Sequence, residues 1–88
     1  MNIGPKAQDH LQTATDEIFR KRREKFGILA DAVIMNGVRE NIQTSIDLAC
    51  DAIENIGARR EDVANLFTLA GVSKETALAV VDALRSGE

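Results

Sequence analysis

Apolar residues in this 88-residue chain recur at steps of three and four almost from end to end, and period-two alternation is missing. That spacing collects side chains on one face of an α-helix, so the pattern predicts an all-α fold without strands. Leu11, Ala14, Thr15, Ile18 and Arg22 trace the face of a first helix, widened by Phe19 and Phe26. Pro5, the single proline, suits the opening turn, where a missing N–H costs nothing. The helix is expected to stop at Gly27, after the run Arg20-Lys21-Arg22-Arg23-Glu24-Lys25. Cations favour the negative end of a helix, and glycine is free to adopt a positive φ there.

The middle of the chain is the most regular. Ile28, Ala32, Met35, Arg39, Ile42, Ile46, Ala49, Ile53 and Ile56 alternate steps of four and three, which is a heptad stripe. Asn36-Gly37 lies within it and offers a break, but the stripe keeps its phase across the glycine, so one long helix is expected. Gly57 closes that helix. Glu61 and Asp62 open the next, where the positive helix end favours acids, and Val63, Leu66, Phe67 and Ala70 form its inner face. Ser73 caps a last helix lined by Ala77, Val80, Val81 and Leu84. The expected order is a first helix, a long central helix, and a short helical hairpin, in one domain covering residues 1–88. If the helix does break at Asn36-Gly37, there are five helices instead of four.

Composition narrows the class. The chain has three Phe, no Trp and no Tyr, so its core must come from Ile, Val, Leu and Ala. A domain of this size buries only roughly 60–65% of its unfolded surface and is marginal alone. Cys50 is the single cysteine, which excludes an intrachain disulfide and a cysteine-based zinc site. Self-association is the remaining support. A homodimer is expected through Ile28, Ala32, Met35, Arg39, Ile42, Ile46, Ala49 and Ile53, with Arg39 setting register at a core-type position. No segment approaches the roughly 18 continuous apolar residues of a membrane span. The stretch MNIGPKAQDH lacks the apolar region of a signal peptide, and with one free thiol a cytoplasmic location is expected.

Net charge is −3 but uneven: residues 1–30 carry +2, residues 31–58 carry −4, and residues 59–88 carry −1. Nucleic-acid-binding domains usually present a basic face, because phosphate contacts supply most of the affinity. The balance therefore weighs against DNA, while the basic run at Arg20–Lys25 offers one acid-binding patch.

The segment Ala70-Gly71-Val72-Ser73-Lys74-Glu75-Thr76-Ala77-Leu78-Ala79-Val80-Val81 resembles the helix-turn-helix of the lactose-repressor family. The resemblance covers about twelve residues. It implies that Gly71 holds the positive-φ turn, that Ser73 caps a recognition helix, and that this helix enters a DNA groove. Phe67 departs from the family pattern, which has Ala four residues before the glycine. The outward positions Lys74, Glu75, Leu78, Ala79 and Asp82 include two acids, whereas Arg, Lys, Asn and Gln are the usual base readers.

No catalytic or metal constellation is visible. His10 has no second ligand at useful spacing, Cys50 reads as a half-buried apolar thiol, and Asp47, Asp51 and Glu54 read as solvated charge. A non-enzymatic protein without cofactor, metal or small-molecule substrate is expected. Two readings remain. One is a dimeric DNA-binding transcription regulator of the kind found in bacteria or their mobile elements. There Lys74 and Thr76 touch the duplex, and Arg59, Arg60 and Arg85 bind phosphates. Arg20, Arg22 and Arg23 add a contact patch for DNA or an acidic partner. The other is an adaptor, chaperone or inhibitor that presents a helical surface to a larger protein.

Overall fold

The computed structural model describes residues 3–27 and 31–88, and all regular structure among them is helical. α1 spans Pro5–Phe26, α2 spans Asp31–Asp51, α3 spans Arg60–Thr68 and α4 spans Lys74–Ser86. The body measures 41 × 23 × 19 Å. α4 lies against both α1 and α3, while α2 packs along α1 at its start and along α3 further on. The chain closes on itself. The Glu88 carbonyl accepts the Lys6 and Ala7 N–H groups, which have no partner inside the first turn of α1.

Local punctuation works as its chemistry dictates. Pro5 occupies the first turn of α1, and Gly27 ends the helix at φ 82°, donating its N–H to the Arg23 carbonyl at 2.8 Å. α2 runs unbroken through Asn36-Gly37. Gly37 lies where α1 comes close: a Cβ added there would meet the Arg22 guanidinium at 3.3 Å.

The stripe of α2 is rotated from its expected position. The buried residues are Ile34, Val38, Ile42, Ser45, Ile46 and Ala49. Ala32 and Arg39 are exposed, and Met35 is half-buried, whereas Ile28 lies outside the described residues. At about 100° per residue, the buried face sits about 50° from the expected heptad line, enough to turn Arg39 to solvent. Ser45 shows why apolar spacing alone misplaces the line. It is buried because its hydroxyl donates to the Leu66 carbonyl at 3.3 Å, a contact that no apolar pattern signals.

α2 then widens into a π-helical turn, Ala52–Ile56, closed by Gly57 at φ 65°. Such a turn takes more residues per revolution and shifts the phase of whatever follows. Ile53 is half-buried and Ile56 is 73% exposed, so Ile56 leaves the stripe to which its spacing assigned it. Ile42, Ile46 and Ala49 are covered by the chain's own helices. They are therefore not a free surface for a second copy.

Phe67 is completely buried, and Ile18, Val38, Val63, Val80, Val81 and Leu84 are fully or nearly buried with it. The ring fills the space that a small residue would leave for two tightly approaching helices. Its carbonyl accepts the Val72 N–H across the turn at 3.1 Å.

Candidate functional site

The corner between α3 and α4 is the first place to look for function. Gly71 takes φ 109°, a conformation that L side chains rarely adopt, and Ser73 caps α4 by accepting the Thr76 N–H at 3.4 Å. The corner expected from Ala70-Gly71-Val72-Ser73 is therefore present.

Its entrance is held by α1. The Glu17 carboxylate accepts the Ser73 N–H and the Ser73 hydroxyl, each at 3.3 Å, and Lys21 donates to the Gly71 carbonyl at 2.7 Å. Burial alone would raise the Glu17 pKa. The bonds from Ser73 and Thr76, with the Lys21 charge, outweigh it and hold the carboxyl below its ordinary range. The start of a helix is where a helix-turn-helix meets a phosphate. Here a carboxylate of the same chain stands beside it.

Thr76, Arg60 and Arg59 are engaged within the fold. Thr76 is half-buried and its hydroxyl bonds Ser73 Oγ at 3.0 Å, so it serves the cap, not an outer surface. Arg60 grips Asp82 through two bonds of 2.7 and 2.9 Å. These bonds hold the Asp82 carboxyl below and the Arg60 guanidinium above their usual ranges, each against a smaller opposing effect of burial. Arg59 pairs with Asp62 at 3.2 Å. Lys74 and Arg85 are exposed, and the Arg85 charge helps to lower Asp82.

The basic run of α1 does not form one patch. Arg20 and Arg22 are two residues apart and so lie on nearly opposite sides of the helix. Arg20 shares a shallow groove with Glu17, Lys21 and Glu24. Arg23 lies 3.4 Å from Asp31. The inner stripe of α1, Ala7, Leu11, Ala14 and Ile18, continues at helical spacing into Arg22 and Lys25. Cations thus take over the inner face where α1 runs past the core.

Among the described residues, two grooves flank α2, and the apolar pattern points to neither. The first, about 430 Å³, is lined by Arg22, Phe26, Val33, Ile34 and Gly37. The second, about 300 Å³, is lined by Asn41, Thr44, Ser45, Leu48, Leu66, Leu69 and Ala70. Phe26, Val33, Leu48 and Leu69 are exposed by 63, 74, 52 and 86%. The sequence hints at this in the near all-round apolar character of Ile28–Val38, which calls for several burying neighbours.

His10 shares a hollow with Asp82 and Ser86, but both Asp82 oxygens are held by Arg60, and the Ser86 hydroxyl donates to the Ala83 carbonyl. No group of three His, Cys, Asp or Glu side chains is placed to hold a metal ion among the described residues. Burial pushes the Cys50 thiol up, and the Glu54 and Asp47 charges push it further, which disfavours the nucleophilic thiolate. Among the described residues no helix is long and apolar enough to cross a membrane. Comparison with protein-family models, with curated proteins and with solved structures found no match to this chain.

Proposed function

We propose that this chain is a non-enzymatic helical module that acts through protein–protein contact, presenting the apolar grooves along α2 and not the α3–α4 corner. The observation that carries this reading is the Glu17 carboxylate on the Ser73 cap, together with the closed Arg60–Asp82 pair. A duplex approaching α4 would meet Glu75 and Asp82 on its outward face and Glu17 at its start. The sequence carries no compensating excess of cations, at a net charge of −3.

A fluorescently labelled random-sequence duplex tests this directly by anisotropy across a salt series. No association is expected at low salt. Binding that weakens steeply as salt rises would restore the helix-turn-helix reading of the corner and overturn this one.

A further inference from the structure

The two grooves lie at opposite ends of one face of α2. At about 100° per residue, Val33, Gly37, Asn41, Thr44 and Leu48 fall within one arc of about 80°, distinct from the buried face. The ends of this line are large and apolar, and its middle is small or polar. Among the described residues, four of the five strongly exposed large apolar side chains belong to these grooves: Phe26 and Val33 at one end, Leu48 and Leu69 at the other. Charge follows the same division. Arg22 lines the first groove and the Lys25 ammonium lies 5.6 Å from the centroid of the Phe26 ring, whereas Asp47 and Asp51 stand at the opposite end of α2.

We infer that this face binds a second copy of the chain, with the two α2 helices antiparallel about a twofold axis near Glu40–Asn41. This register rests on the reading of the chain as a protein-contact module and names its partner. It seats Val33 over Leu48 of the second copy and Phe26 over Leu69 of the second copy. Gly37 and Thr44, small at the middle, let the helices approach closely. The same rotation brings the acidic end of each α2 beside the basic end of the other α1, and the interface closes without open edges. A parallel arrangement would instead set like charges together at both ends. The seam differs from the heptad line through Ala32, Met35 and Arg39, which points elsewhere on α2.

Sedimentation equilibrium of the full chain between 5 and 100 µM is expected to give about twice the monomer mass of 9.6 kDa. Val33→Glu and Leu48→Glu, both at exposed positions, are each expected to weaken the dimer at least tenfold while keeping the helical circular dichroism. Direction is read by disulfide trapping in a Cys50→Ser background. Val33→Cys combined with Leu48→Cys should oxidise to a covalent dimer. Val33→Cys alone should not, because the two copies of residue 33 stand about 22 Å apart along the antiparallel pair. A monomer at 100 µM, a dimer indifferent to Val33→Glu, or trapping by Val33→Cys alone would each overturn the proposal. A monomer that still avoids duplex DNA would sink the dimer while leaving the protein-contact reading in place.

Discussion

Replacing Glu17 by Gln removes the charge that α1 places on the α4 cap while preserving shape. Glu17 accepts two bonds from Ser73, both at 3.3 Å. Short charge-assisted bonds contribute about 1.5–3 kcal/mol each. These two are longer than the usual 2.7–2.9 Å for charged pairs and partly solvated, and Gln keeps one neutral acceptor. The expected loss is therefore about 1 kcal/mol in total, or about 4–8 °C in Tm for a domain of this size. The pH dependence is specific to this residue. Because its folded pKa lies below the ordinary 4.5, its contribution is complete above that value and is lost as the pH falls through the depressed one. Thermal melts followed by circular dichroism should show the gap between wild type and Glu17→Gln at pH 7. The gap should close as the pH is taken well below 4.5. Equal Tm values at pH 7, or a gap that persists in acid, would refute the idea that the carboxylate clamps the corner.

Three further outcomes follow from the packing. Phe67→Ala should cost about 3–5 kcal/mol by urea denaturation, a large share of the roughly 4–13 kcal/mol available to a domain of this length; a loss below about 1 kcal/mol would mean the ring is not the centre of the core. Gly71→Ala should cost about 1–2 kcal/mol from its φ of 109° alone, because the added Cβ meets only Ile18 Cγ1 at 3.8 Å; an unchanged urea midpoint would deny the strained turn. Cys50 should alkylate more slowly at pH 8 in the folded protein than in the urea-unfolded chain, since burial and the Glu54 and Asp47 charges oppose its thiolate. Equal rates would show the thiol to be open.

Much of the fold is legible in the sequence because its signals are local. Gly27, Gly57 and Gly71 take positive φ where the sequence asks for a stop, and Ser73 caps the helix that follows it. α2 shows where local signals run out. Apolar spacing points to a heptad line, yet the core selects Ile34, Val38 and Ser45, the last through a bond to a carbonyl 21 residues away. What the corner can bind likewise depends on distant partners. Glu17 reaches Ser73 across 56 positions and Arg60 reaches Asp82 across 22, so residues that read as free contacts are engaged within the fold. The apolar grooves are hidden for a related reason. Val33 and Leu48 look like any other members of an apolar helix until the core has chosen its face.

The central claim, that the chain acts through the outer face of α2 and not through its helical corner, can be tested by placing a photo-crosslinking side chain at two positions in cells. At Val33, on the first α2 groove, irradiation should yield discrete protein adducts. At Lys74, at the start of α4, it should yield none. Nucleic-acid adducts from Lys74, with nothing captured at Val33, would contradict the account.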